Sequence, residues 1–578
     1  MKYLLKILGI VLLSIAFILG LAWLLRIELL PSLLYLFAER YTIERIRYQN
    51  AQWATLGEIE FYQMEIERNG WKLAADTLTI RFFPKLSIRS RRGRLHRLRA
   101  SFPEETASSK FPLSAVLRAG QKVLHLLQSI DTLEWQQLSF PSGIELSLRK
   151  AGDSCAFTVS RGVYRFSAVA KLRQDTFHLL SKCGTIKTEK MNAAWDEVTA
   201  IISIRKERLS AEGEGQGLQF FHPRLASRTL WYDIAGVRLE GSVSEDSLRL
   251  HLTTQKLPLE AHLRISAQGS AQRFAAVLDI PRQSHIAFLK AFPEGFFTCL
   301  SRADIAGTSA LRIELRYDPT LPDTLALSID WRPEDFAIRH WTGNPNPLML
   351  NGTFSYRPYR SNRILQLGSA SPTYLTFHEI TPYVLHAVLH SEDGLFFQHQ
   401  GFQKEPFLRA LLENWHCRCF RRGAGTITMQ LVRNLLLTRE KTLARKVEEI
   451  LLTAIIERFR LLSKERIAEL YLNMIEWGPE IYGLVEAARF YFGKEPHQLT
   501  IPEAIFLGML LPNPKAYRYL IDPQTGCVAS PYKYHFQKIA YFLVRQNYLH
   551  PDSLESILPE RACLRPPAWS SPDSPQLR

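Results

Sequence analysis

Between residues 42 and 360 apolar residues recur at every second position in short runs. Leu78, Ile80 and Phe82 form one such run, Leu248, Leu250 and Leu252 another, and Leu325, Leu327, Ile329 and Trp331 a third. On an extended chain alternate side chains share a face, so this spacing, with turn residues between the runs, predicts antiparallel sheet. From about residue 375 the spacing changes to three and four. Thr381 and Pro382 supply an N-cap and a first-turn proline for a helix over 381–390. Residues 406–415 are amphipathic, and 441–460 place Leu443, Val447, Ile450, Leu451, Ala454 and Ile455 on one side. Further helices are predicted over 465–473, over 500–511, where Thr500 and Glu503 make a T-x-x-E capping pattern, and over 533–547. The tail from about 565 is rich in Pro and Ser and is predicted to be disordered.

At 578 residues, 46% of them hydrophobic, the chain is folded and too long for one ordinary core. Residues 7–25 carry no charge, and at about 1.5 Å per residue they nearly cross a hydrocarbon layer of roughly 30 Å. Lys2 and Lys6 precede this stretch and only Arg26 follows closely, which predicts a single-pass anchor with its amino terminus in the cytoplasm and the rest outside. A cleaved signal peptide is the competing reading, but its apolar core spans only about 7 to 15 residues. Residues 27–38, interrupted by Glu28 and Pro31, read as an interfacial helix.

The net charge is +16, and beside a membrane anchor this points to lipid or a pyrophosphate-bearing substrate and away from nucleic acid. Six arginines between 89 and 99 would either meet anionic headgroups or line a solvated strand face. Seven cysteines form no zinc pattern; Cys155 and Cys183 could pair outside the cytoplasm, scattered buried thiols being the simpler reading. The expected organisation is an anchor and interfacial helix over 1–40, a β-rich domain over 41–365, a mostly α domain over 370–520, and a C-terminal helix with its tail over 521–578.

Four stretches carry candidate chemistry. Residues 392–401 read EDGLFFQHQG, with Glu392 and Asp393 just after the predicted helix 381–390. Residues 423–434 read GAGTITMQLVRN, in which glycines free the backbone and Thr426, Thr428, Gln430, Arg433 and Asn434 offer polar groups at the start of a helix. Residues 445–449 read RKVEE, where Arg445 and Lys446 lie four and three positions before Glu449 and so share a helix face with it. A fourth stretch, 469–483, contains Tyr471 and Asn473. Each alone has an ordinary reading: a solvated helix end, a flexible loop, a surface ion pair.

In this order and spacing the stretches resemble the peptidoglycan glycosyltransferases of glycosyltransferase family 51, most closely the monofunctional, membrane-anchored branch. The family pattern EDxxFxxHxG is met by Glu392, Asp393, Phe396, His399 and Gly401, and RKxxE by Arg445, Lys446 and Glu449. GxSTITQQ is met in part, by Gly423, Thr426, Ile427, Thr428 and Gln430, with Gly425 in place of Ser and Met429 in place of the first Gln. The resemblance covers about a quarter of the chain. The early strands behind the anchor resemble the AsmA-like domains of envelope proteins.

The resemblance implies an α+β multidomain protein with a transmembrane helix, a β-rich extracytoplasmic domain and a lysozyme-like α domain in the bacterial inner membrane. It implies polymerisation of lipid II, with the growing glycan chain as donor, inverting transfer to a β-1,4 link, and other cell-wall synthases as partners. Glu392 is expected as the catalytic base, and Glu449 as the group that orients cations or binds a divalent metal, Mg or Mn. Arg445, Lys446 and Arg433 are expected to hold the pyrophosphate. Asp393, His399, Thr426, Thr428, Gln430, Asn434, Tyr471 and Asn473 are the further substrate-side candidates. A glycan-cleaving enzyme, or a non-catalytic lipid- or partner-binding protein with a degenerate transferase domain, are the alternatives.

Overall fold

The computed structural model describes residues 45–565, apart from short connecting stretches and residues 98–130. The proposed anchor, the interfacial helix and the tail beyond 565 lie outside the described residues. Among the described residues no helix is long and apolar enough to cross a membrane.

The chain forms two compact units. The first contains the residues up to Phe296 together with Ile305–Ala337, and the second Phe297–Asp304 together with Ile338–Arg578. In the first unit the alternating runs form an 18-stranded sheet in which successive strands pair antiparallel. Ser87–Arg97 and Thr132–Ser139 are instead parallel. Alternation places Leu239, Leu252, Ala261 and Ile280 in one buried cluster. Leu78, Leu325 and Leu327 are buried as their period predicts, but Ile329 is 49% exposed, since the strand Leu325–Trp341 buries nothing between Leu327 and Trp341. A short helix, α1 (His285–Lys290), follows the strand Ala271–Ser284.

The second unit is mostly helical: α2 (Pro382–Asp393), α3 (Lys404–His416), α4 (Ile427–Leu435), α5 (Leu443–Arg458), α6 (Lys464–Met474), α7 (Leu484–Phe492), α8 (Ile501–Leu510) and α9 (Lys533–Arg545). Thr500 and Glu503 form the expected capping box. Nothing between 391 and 393 stops a helix, so α2 runs on to Gly394, and Glu392 and Asp393 sit in its last turn rather than after it.

The observed division of the chain differs from the expected boundary at 365–370. Residues 338–380 belong with the helices because polar side chains there lace onto α6: Tyr374 Oη donates to Glu469 at 2.5 Å, and Arg466 Nη2 donates to the Gly352 carbonyl at 2.7 Å. At the other end α9 stays with the unit through stacked pairs of His390 on Phe542 and His386 on Tyr548. A Cys527–Cys563 disulfide closes this region, while Cys155 and Cys183 remain free thiols.

Helix α8 is the buried axis of the second unit, with Ala504 to Leu510 enclosed. It can pass close to α2 because position 508 lacks a side chain: a Cβ there would lie 2.6 Å from the Ala387 carbonyl oxygen. Gly508→Ala should therefore destabilise the protein by about 1 to 3 kcal/mol through overpacking, read as a lower midpoint in denaturant unfolding; an unchanged midpoint would show that the helices can part without cost.

Candidate active site

Glu392 is set in the last turn of α2, where its carboxylate is partly enclosed. Gln430, on the first turns of α4, donates from Nε2 to Glu392 Oε2 at 2.7 Å. Behind it Tyr471 Oη donates to Gln430 Oε1 at 3.2 Å, which fixes the direction of the amide. Tyr471 is only 1% exposed, so it acts through Gln430 and offers no surface to a ligand. Burial raises the Glu392 carboxyl above its ordinary range; the Gln430 hydrogen bond and the charge of Arg433 oppose this, and Asp393 adds a small push upward. Glu392 is thus a carboxyl biased toward keeping its proton, as a base that works near neutrality requires.

The cations come from α4 and α5. Thr442 caps α5, its hydroxyl accepting from Arg445 N, and the first turns of the helix then carry the RKVEE run. Glu449, 1% exposed, accepts from Arg445 Nη1 and, at 2.6 Å, from Lys446 Nζ. Arg445 Nε also donates to the Glu440 carbonyl. Arg433 on α4 lies within the electrostatic reach of both Glu392 and Glu449, and burial pulls its guanidinium below the usual range. Arg433, Arg445 and Lys446 thus gather around one fully buried carboxylate. Such an excess of charge suits an anion with several oxygens.

The remaining sequence candidates divide by what they touch. Asp393 is fully enclosed: Oδ1 accepts from His399 Nε2 at 2.8 Å and from Gln403, and Oδ2 accepts from Ile427 N at 3.0 Å. His399 in turn accepts from Gly401 N through Nδ1. Thr426 caps α4 and donates to the Gly401 carbonyl at 2.8 Å. Gly401 has φ +82°, and a Cβ there would strike Thr453 and Glu457 of α5. These residues hold the loop through hydrogen bonds among themselves and to Ile427 and Gln403. Thr428 donates to the buried Glu457, Asn434 accepts from Arg439 Nη2, and Asn473 clasps the Leu375 backbone through both ends of its amide.

Sequence reasoning missed three groups. Gln403 completes the Asp393 hub from just past the quoted motif. Glu457, paired with Lys464 at 2.8 Å, lies eight positions after Glu449, a helical period that was legible. Glu448 points away from the cations and binds a backbone segment, for which the sequence gives no signal. The departures at 425 and 429 also gain a physical reading. Met429 is buried in the core of α4, and a Cβ on Gly425 meets nothing within 4 Å.

A resident divalent metal does not fit this donor set. Both Glu449 oxygens are taken by cations, Asp393 is saturated by hydrogen bonds, and Arg433, Arg445 and Lys446 would repel it. Among the described residues the only grouping with metal-like spacing is His251, Glu260 and His262 on the sheet, largely exposed, with the two imidazoles stacked face to face at 4.3 Å.

A carboxyl raised by burial, set within electrostatic reach of a cluster of cations, is the equipment of a group-transfer site that expels an anionic leaving group. The transglycosylase family pattern matches residues 360–529. The biosynthetic peptidoglycan transglycosylase of Nitrosomonas europaea is 42% identical over 204 residues, covering 31% of this chain and 83% of its own. That of Nitrosomonas eutropha is 40% identical over 144 residues, covering 25% and 58%. Penicillin-binding protein 1A of Aquifex aeolicus is 34% identical over 197 residues, covering 33% and 26%. The chain belongs to the transglycosylase family. It spans 58% to 61% of the length of several of these curated relatives.

Because Gln430 holds the Glu392 carboxyl down against burial, Gln430→Ala should move its titration midpoint to higher pH. Carbon NMR of labelled glutamate, with Glu392→Gln to assign the signal, reads this directly, and a midpoint that stays put or falls would show that the hydrogen bond does not set the acidity. Gly425→Ser should fold with wild-type stability, since its side chain enters open space.

Proposed function

We propose that the protein polymerises lipid II into β-1,4-linked glycan strands and releases undecaprenyl pyrophosphate. The observation that carries this reading is the raised Glu392 carboxyl tethered by Gln430, with Arg433 in electrostatic reach of both that carboxyl and the pocket of Arg445 and Lys446. In the reaction the 4-hydroxyl of the acceptor sugar attacks the anomeric carbon of the growing chain. The new O4–C1 bond forms as the C1–O bond to the pyrophosphate breaks, with inversion. Glu392 takes the hydroxyl proton, and Arg433, Arg445 and Lys446 receive the negative charge that appears on the departing pyrophosphate. Glu449 keeps the two helix cations at fixed spacing. No step requires a metal supplied by the protein.

Glycan cleavage would also use a carboxyl, but it expels a neutral sugar hydroxyl and has no use for three converging cations. A degenerate passenger domain is disfavoured because the two departures from the family pattern fall on a core methionine and an open backbone position. Residues 7–25 act as a single-pass anchor that keeps the site beside its lipid-borne substrate, with the helical unit outside the cytoplasm. The Cys527–Cys563 disulfide agrees with an oxidising compartment. Membrane lipid and other cell-wall synthases are the partners this placement offers.

In detergent or lipid, the full-length protein should convert lipid II to glycan chains with release of undecaprenyl pyrophosphate, and Glu392→Gln should lower the rate by about 10² to 10⁴. Folded wild-type protein that makes no glycan, or a Glu392→Gln variant as fast as wild type, would overturn the reading.

A further inference from the structure

The strands Ala271–Ser284 and Ala303–Tyr317 are hairpin partners in the sheet, in register from Phe274 opposite Tyr317 to Ser284 opposite Thr308. The link between them ends in Phe297–Arg302, and the segment Phe297–Asp304, which runs into the second strand, packs as part of the helical unit. There its backbone amides meet one carboxylate, Glu448 of α5. Oε1 accepts from Thr298 N at 2.9 Å, Cys299 N at 2.6 Å and Leu300 N at 2.8 Å. Oε2 accepts from Thr298 Oγ1 at 2.8 Å and shares Thr298 N at 3.1 Å. Three consecutive amides open the turn Leu300–Arg302 toward the carboxylate, making a small anion nest. Glu448 is 1% exposed, and among the described residues no Lys or Arg pairs with it, so backbone dipoles meet its charge. The segment is fixed at its far end too: the Arg302 carbonyl accepts from Thr342 N, and Arg302 Nη1 donates to the Asn344 carbonyl.

Adjacent side chains on a helix point about 100° apart. Glu448 therefore faces the nest while Glu449, the next residue, faces Arg445 and Lys446. A hydrogen-bonded clamp on the first fixes the rotation of α5 about its axis, and with it the aim of the other three.

We infer that Phe297–Asp304, delivered by a hairpin of the sheet, is a positioning element of the transfer site, and that Glu448 is the positioning residue through which it sets Arg445, Lys446 and Glu449. This rests on the transferase reading for its catalytic consequence, though not for the clamp itself.

The test uses the full-length protein. Glu448→Gln puts an NH₂ in place of one of the two acceptor oxygens and removes the charge that the amides face. It should speed hydrogen exchange of the α5 amides over 446–453 while leaving α8 protected, and lower kcat on lipid II on the order of a hundredfold with KM little changed. Thr298→Ser, which keeps the hydroxyl, should match wild type in both readouts. If Glu448→Gln does not fold, Thr298→Val, which removes only the hydroxyl donor, should give a smaller change of the same kind in both. Unchanged exchange over 446–453 in the variant that folds would overturn the inference, whether or not the wild type polymerises lipid II. Faster exchange with undiminished kcat would overturn the positioning role. A wild-type protein that is inert on lipid II, yet shows the exchange change, would overturn the transferase reading and leave the clamp standing.

Discussion

The Asp393 carboxylate, enclosed at the end of α2, decides where everything else in the site stands. One oxygen takes His399 and Gln403, the other the first amide of α4. Three segments are thereby pinned to one point: the last turn of the helix that carries Glu392, the loop that follows it, and, 34 residues on, the helix that brings Gln430 and Arg433. A buried carboxylate deprived of such partners costs about 3 to 5 kcal/mol, so the hub tolerates no partial version of itself. The neighbouring carboxylate is left free of these duties and is held by a single amide. Unequal roles for two adjacent acids follow from which of them is enclosed.

Helix α5 shows the same economy. Its buried acids, Glu448, Glu449 and Glu457, each answer to a different donor set: backbone amides, the two cations of its own first turns, and Lys464 with Thr428. Lys464 also sits 4.3 Å above the Phe396 ring, which ties the EDGLFFQHQG loop to the start of α6. The helix is a polar spine that several parts of the unit read from different sides. That explains why a run with so many charges is not a solvated surface.

Much of this was legible in the residues. Period two and period three-to-four separated sheet from helices, and Thr500 with Glu503 marked the start of α8. The spacing of Arg445, Lys446 and Glu449 on one helix face came straight from helical geometry. What escaped has physical causes. The α2 terminus was drawn too early because His390 and Ser391 are weak helix formers, yet tertiary packing carries the helix on to Gly394. The partners of Asn473 and Tyr471 were not legible, because a polar residue near a motif gives no sign that burial will pair it with Leu375 or Gln430. The domain boundary was misplaced because residues 338–380 contain little helix of their own and join the helical unit by side-chain bonds to α6. Glu448 gave no sign at all, since its partners are backbone amides 148 to 150 residues earlier in the chain.

That separation has a consequence for how the protein is made. At a synthesis rate of about 5 to 20 residues per second, the 150 residues between Thr298 and Glu448 take about 8 to 30 seconds to emerge. During that interval the amides of Thr298, Cys299 and Leu300 wait without the acceptor they have in the folded protein. The arrival of α5 supplies the acceptor last. The nascent chain thus has a built-in order within the helical unit, whose earliest segment emerges long before the helix that completes it.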